Sequence, residues 1–322
     1  MRQYILHRLI LNIPVVLIVV TLVFFTSHIR PDLAEQRAAG QGQASTQDYA
    51  EAVKAIRHQL GTDKPLWRQY TNYLGDLARL DFGRSLLTQQ SVAREMVGRL
   101  PASMELGLLQ LLLAMAIAVP IGIISAIRQD TWIDYFLRVT TVLGVAVPSF
   151  YLGTLLLLFV TRILGWTPPV ITTSYREIWE DPVANLKMML LPTLAGGFAE
   201  AAVIMRLLRS EMLEVLRQDY IRTAWSKGLR ERMIVMRHAL RNALAPVVTI
   251  LGVLIGVLFG GNVVLESMFS IPGAGQLIVL SLSQNDQPLV QGVVLIVAVA
   301  LVTTNLVVDL TYAWLDPRIR YA

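Results

Sequence analysis

Glu200 stands inside the apolar run GGFAEAAVIM, where an ionisable side chain is least expected. A carboxylate at membrane depth is costly, and it faces a cavity or a partner. Arg206 and Arg209 follow on the same run, and one alternative is that Glu200 simply pairs with one of them near the inner end of its span. Other groups capable of chemistry are sparse. The absence of cysteine removes disulfides, thiol catalysis and Cys-ligated metals. His7, His28, His58 and His238 are scattered with no HxxxH or HExxH spacing, so a metal site is not expected. GxSxG and paired intramembrane carboxylates are missing, which argues against an intramembrane hydrolase. No GxxxxGK[ST] loop occurs, so nothing here is built to cradle a nucleotide phosphate.

The elements that would position these residues are membrane helices. Of 322 residues, 54% are hydrophobic and 16% charged, against about 25% charged in a typical soluble domain. Mean hydropathy is +0.54. Six apolar stretches of spanning length fall at about 9–27, 102–126, 138–163, 188–208, 246–265 and 290–314. The first is too long for a signal-peptide core and lacks a clean small-x-small site, so it reads as a retained span. The fold class is therefore an all-α polytopic membrane protein with six transmembrane helices. Residues 1–27 form the N-terminal tail and first span, 28–101 an extracytoplasmic insertion, and 102–322 a core of five spans with a cytosolic loop at 209–245. Within the insertion, Tyr49–Leu60 and Trp67–Leu80 show amphipathic helical patterns.

Charge orients the bundle. Residues 209–245 carry eight Lys and Arg against four acids, while the link between the last two spans has no basic residue. Arg2, Arg8, Arg318 and Arg320 place both termini on the cytosolic side. The first loop carries ten basic residues, but a loop of that length escapes the charge rule. The net charge of +5 thus marks cytosolic loops and gives no reason to invoke nucleic acid.

The basic segment DYIRTAWSKGLRERMIVMRHALRNALAP has the form helix–glycine–helix, broken at Gly228 and returning to the membrane at Pro246. Ala224, Lys227 and Arg230 are expected to project from it, and Asp219 to cap its first helix. Such a segment is either a docking device or an ordinary loop. Gly252, Gly256 and Gly260 repeat as GxxxG and suggest close helix packing. Pro148 and Gly153 suggest a kink in the third span.

The basic segment resembles the EAA loop of ABC importer permeases, in the version found in the dipeptide/oligopeptide/nickel family. KPLWRQYTNYL, DFGRSL, RLPASMELGLL, VPSFYLGTLL, LESMFSIPGAGQL and NLVVDLTYAWLDPRIRY extend that resemblance over essentially the whole chain, as a first-permease (B-type) subunit. It departs from the general EAA pattern in having Arg222, Thr223 and Ala224 where many importers have Glu-Ala-Ala, and its distance from Gly228 to Pro246 is longer than in sugar importers; both are usual in the peptide branch.

The resemblance implies a type I ABC importer permease fold in a prokaryotic inner membrane. It implies a second homologous permease, two ATPase subunits or domains that bind ATP and magnesium, and an extracytoplasmic substrate-binding protein. This chain would bind no cofactor and would be no enzyme. Asp219, Tyr220, Arg222, Thr223, Ala224, Lys227 and Gly228 would couple it to the ATPase. On their residue types alone, Glu200 is expected to line the translocation path and meet a substrate amine or backbone, and the loop with Phe269, Pro272 and Gly273 either folds back as part of a gate or merely closes a helical hairpin. Gly252, Gly256 and Gly260 would lie at a packed helix interface. Peptides are the implied cargo, with oligosaccharides or nickel chelates as alternatives and a receptor or scaffold without transport as the remote one.

Overall fold

The computed structural model describes residues 2–28, 53–54, 63–169 and 175–315, with the backbone alone for 2–9, 26–28 and 308–315. Its elements are α1 (Arg2–His28), α2 (Leu66–Ala78), α3 (Val92–Ile127), α4 (Trp132–Ala146), α5 (Ser149–Arg162), α6 (Pro182–Leu216), α7 (Asp219–Ser226), α8 (Glu231–Leu258, with a π-helical turn at Ile234–Ala239), α9 (Val263–Met268), α10 (Ala274–Ser283) and α11 (Gln287–Leu315). Among the described residues the only β-type pairing is an isolated bridge, Arg84 to Ser91. The all-helical expectation holds.

Among the described residues four helices are long and apolar enough to cross a membrane: α3, α6, α8 and the Gln287–Val307 part of α11. The third expected span, 138–163, is not one straight helix. It breaks into α4 and α5, bent by 102°. The cause lies at Pro148, which has no N–H to continue α4 and holds Val147 in an extended conformation (φ −85°, ψ 119°). At about 1.5 Å rise per residue each piece is shorter than the ~30 Å hydrocarbon core, so only the pair together is of spanning length. Gly153 does not contribute to the bend; it lies inside α5. In α1 the described apolar part is Ile10–Phe25.

Two further boundaries differ from expectation. The fifth span was expected to start at Pro246 and run to 265; instead the helix starts at Glu231, carries Pro246 in its interior and ends at Leu258. α6 runs on to Leu216, so the non-helical stretches inside the expected segment 209–245 are the short breaks on either side of α7, and the helix expected after Gly228 is the first part of α8. Basic side chains such as Arg237 and Arg241 sit exposed on helix there, because helix formers continue unbroken beneath them. Gly260 falls beyond the end of α8, so only Gly252 and Gly256 are buried glycines of that helix.

The chain divides into two compact units, Met1–Gly98 with Leu277–Val302 and Arg99–Gln276 with Thr303–Ala322. In the first, α2 lays its half-buried aromatic stripe on α1: the rings of Tyr70 and Tyr73 lie 5.1 and 5.6 Å from that of Phe24. Burial pushes the Tyr73 hydroxyl up to about 12, so it stays neutral there. Ile10, Leu11, Ile18 and Leu22 leave an exposed apolar face on α1, as a lipid-facing helix requires. The DFGRSL segment is tied down by Asp286: its carboxylate accepts from Ser85 Oγ (2.5 Å) and from the Leu86 N–H (3.1 Å). Asp286 also accepts from the Leu289 N–H at the start of α11. The C-terminal part of the expected insertion thus belongs to one unit with α1 and Leu277–Val302; the Tyr49–Leu60 pattern lies almost wholly outside the described residues.

In the second unit α6 is the central element, packed on α4, α5 and α8. Asp181 caps it by accepting from the Ala184 N–H at 3.0 Å, with Pro182 at its first turn. Its buried face (Ile204, Leu208, Met212) meets Ala114 and Ala118 of α3 and Ala243 and Val247 of α8 in one apolar cluster.

Candidate functional site

The second unit holds a cavity of about 300 Å³ between the first half of α3, the middle of α6 and the end of α8 with its following turn. Polar groups in its wall come from Ser103, Gln110, Glu200 and Asn262, and aliphatic ones from side chains such as Leu254 and Leu258. Gln110 reaches its place because α6 presents Gly196 and Gly197, where a Cβ would collide with the Gln110 side chain and with Leu113. Its amide nitrogen donates to the Pro192 carbonyl at 3.1 Å. Glu200 lines the cavity, and its Oε2 is buried without a hydrogen-bond partner among the described residues.

The structural pairing considered for Glu200 is not made. Arg209 instead donates from Nε and Nη2 to the two carboxylate oxygens of Asp134, each at 2.8 Å, and Ser125 Oγ donates to the same carboxylate at 2.5 Å. Arg206 is exposed. The buried Asp134–Arg209 pair joins α4 to α6, and sequence reading did not single it out.

The turn after α8 is built around a fully buried carboxylate. Glu266 Oε1 accepts from Ser103 Oγ (2.8 Å) and the Asn262 N–H (3.1 Å), and Oε2 accepts from the Gln276 N–H (3.1 Å). Ser103 Oγ in turn accepts from the Ala274 N–H at 2.8 Å. The loop backbone thus folds over one acid and is fastened to α3. The glycines of this segment are required by closeness: a Cβ on Gly261 or Gly273 would overlap the Glu266 carboxylate, and Gly261 also has φ +66°. Of the expected gate residues, Phe269 is fully buried beside Gly153, where an added Cβ would come within 3.1 Å of its ring. Gly273 is buried against Glu266 and Pro272 is partly buried. Phe269 therefore packs into the core with Ala195, Leu265 and Ile271. Glu266 is the residue that holds this loop, and it was missed.

The RLPASMELGLL stretch thereby acquires physical content. Ser103 binds the Glu266 loop, and Glu105 Oε2 accepts from Tyr175 Oη (2.9 Å) and Asn185 Nδ2 (3.1 Å). Burial and the neighbouring Glu105 carboxylate push the Tyr175 hydroxyl upward, which keeps it a donor.

The polar segment 217–230 has another character. α7 begins at Asp219 with Gln218 as its cap residue, and Asp219 does not cap: its carboxylate accepts from Arg222 Nη1 at 3.4 Å. Ile221 and Ala224 are buried, so Ala224 faces the protein's own core and does not project. Tyr220, Arg222, Thr223 and Lys227 remain exposed. Tyr220 Oη accepts from Asn242 Nδ2 of α8 at 2.7 Å. Gly228 (φ +74°) ends the helix in the left-handed conformation expected of a glycine one residue past a C-cap. Among the described residues no group of three His, Asp or Glu is placed to hold a metal.

Residues 118–321 match the family model described as binding-protein-dependent transport system inner membrane component, and residues 1–107 match that of the N-terminal part of the same class of membrane component. Along their whole lengths the chain is 36% identical to the dipeptide transport system permease protein DppB of Alkalihalophilus pseudofirmus. It is likewise 37% identical to a putative peptide transport system permease protein of Brucella abortus over all of both chains. Over the same full extent it is 36% identical to the glutathione transport system permease protein GsiC of Escherichia coli.

Proposed function

The chain belongs to the family of binding-protein-dependent transport system inner membrane components, and on that premise we propose that it is one of two permease subunits of an ATP-driven importer for peptides. The observation that carries the cargo is the full-length likeness to three permeases named for dipeptides, peptides and glutathione. Both termini and segment 217–230 lie on the cytosolic side, in keeping with the eight basic residues of 209–245.

ATP and magnesium bind to partner ATPase subunits, which supply the free energy of uptake. α7 is the coupling element. Its exposed Tyr220, Arg222, Thr223 and Lys227 meet the ATPase, while buried Ile221 and Ala224 fix it rigidly to α6 and α8. A push on α7 is therefore transmitted to two long helices instead of being absorbed in a loose loop. The bent α4–α5 pair, the Glu266-held loop and the cavity with Glu200 form this chain's share of the translocation path, completed by the second permease. An extracytoplasmic binding protein delivers the peptide.

The test is co-purification with the products of neighbouring genes, followed by ATPase assays with binding protein and peptide. Recovery of a second permease and an ATPase, with hydrolysis stimulated by peptide, is the expected result. An intact assembly that ignores peptides but responds to sugars or nickel chelates would overturn the cargo. A chain recovered folded and alone would overturn the importer.

A further inference from the structure

Taking the permease reading as its basis, the cavity raises a question of charge. Among the described residues Glu200 is the only ionisable one that lines it. One of its oxygens is buried and unpartnered. The two arginines that follow it on α6 do not serve it, since Arg209 is held by Asp134 and Arg206 is exposed. A carboxylate kept in a membrane span without a partner is retained against its desolvation cost, and such groups mark ligand or ion pathways. The wall adds acceptors and aliphatic surface but no cation: Gln110 commits its N–H to Pro192, and Leu254 and Leu258 supply apolar contact. A primary ammonium brings three donors and one positive charge, which is what this wall lacks. The volume of about 300 Å³ is at the small end of ligand pockets, a size for the end of a chain and not for a whole oligopeptide.

We propose that Glu200 is the counter-charge for the free N-terminal ammonium of a peptide in transit, so that the permease itself, and not only its binding protein, selects for an unblocked amine. The passing ammonium completes the pairing that Glu200 lacks, and a solute without an amine leaves the carboxylate unpaired.

The experiment uses the complete importer in liposomes. The hydrophobic carbodiimide dicyclohexylcarbodiimide modifies carboxyls in apolar surroundings, and mass spectrometry reads its adduct at Glu200 against the unmodified peptide. Trialanine should slow modification of Glu200 by at least about fivefold at several times its dissociation constant, and N-acetyl-trialanine at the same concentration should not. Equal protection by both peptides, or a Glu200 that never reacts, overturns the proposal. A second arm needs no chemical labelling. In Glu200→Gln the ratio of trialanine to N-acetyl-trialanine uptake should fall about tenfold, equivalent to ~1.4 kcal/mol of lost discrimination. The binding protein's own preference is the same for both variants and cancels in that comparison. An unchanged ratio sinks the ammonium assignment while leaving the importer standing. Failure of the unmutated importer to take up either peptide sinks the peptide reading itself.

Discussion

The loop at 259–276 and the segment at 217–230 both lie in the same unit, and they are held by opposite means. The first closes on itself: Glu266 gathers Ser103, Asn262 and Gln276, and Gly261 and Gly273 keep clear of its carboxylate. The second shows its polar side chains to the outside and is fastened from beneath by Ile221 and Ala224. A loop with its polar groups turned inward is a fixed part of the bundle. A segment with its polar groups turned outward is available to a partner. The contrast predicts that damage to the first appears as lost stability, and damage to the second as lost coupling in a protein that still folds.

The largest effect is expected from Glu266→Ala. It strips the acceptor from a buried hydroxyl and two partly buried N–H groups, and removing the hub of such a network costs about 3–5 kcal/mol. Thermal unfolding followed by tryptophan fluorescence in detergent should show it. Glu266→Gln keeps one acceptor oxygen but turns an amide NH2 toward donors, so about 1–3 kcal/mol is expected. An alanine variant as stable as the parent would mean that the loop is not fastened at this residue.

Ile221→Asp comes next. Ile221 is fully buried in the apolar cluster under α7. A carboxylate does not stay there; α7 lifts away instead, limiting the cost to the loss of its apolar seat, about 2–4 kcal/mol. Peptide-stimulated ATP hydrolysis should be lost although both permeases still assemble. Normal stimulation would show that a seated α7 is not the transmitting element.

Gly228→Pro should cost less and say more. Proline fixes φ near −65°, whereas Gly228 sits at +74°. The turn must therefore reshape. A Cβ there meets nothing within 4 Å, so the strain stays local, about 1–3 kcal/mol. ATP hydrolysis should continue without uptake. Intact uptake would mean that the direction of this turn is immaterial.

The two regions were unequally legible in sequence. Segment 217–230 announces itself locally: basic residues, helix formers and a glycine lie within a few positions, and Gly228 stands where that pattern puts it. The helix that the same pattern puts after Gly228 is there as well, carrying Arg237 and Arg241; it starts at Glu231 and runs on through Pro246 to Leu258 as one element. The loop at 259–276 was recognisable as a string, but its mechanism was not. Ser103 and Glu266 are 163 positions apart, Ser85 and Asp286 are 201 apart, and no periodicity within one segment reveals such a pair. Phe269 and Gly273 drew attention by type, while Glu266 looked like one acid in an external link. Pro148 did signal a break in the third span, but the proline alone does not set its 102° angle.

Arg222→Glu is the smallest structural change and the sharpest test of the comparison. Its ion pair with Asp219 lies in open solvent, the two side chains being 76% and 96% exposed. Pairs of this kind are screened and contribute little to stability, so the unfolding temperature should not move. Reversal also places two acids three residues apart in the first turn of α7, a position that tolerates negative charge because the amide dipoles point there. Any large loss of uptake must then come from outside the chain, from a surface that expected a cation at this position. An acidic residue on the ATPase, reversed to lysine in a matching variant, should restore uptake to Arg222→Glu and impair it in the parent. Uptake that is unaffected by the first reversal would leave Arg222 as a charge that only sets topology, and would shift the contact surface of α7 toward Tyr220 and Lys227.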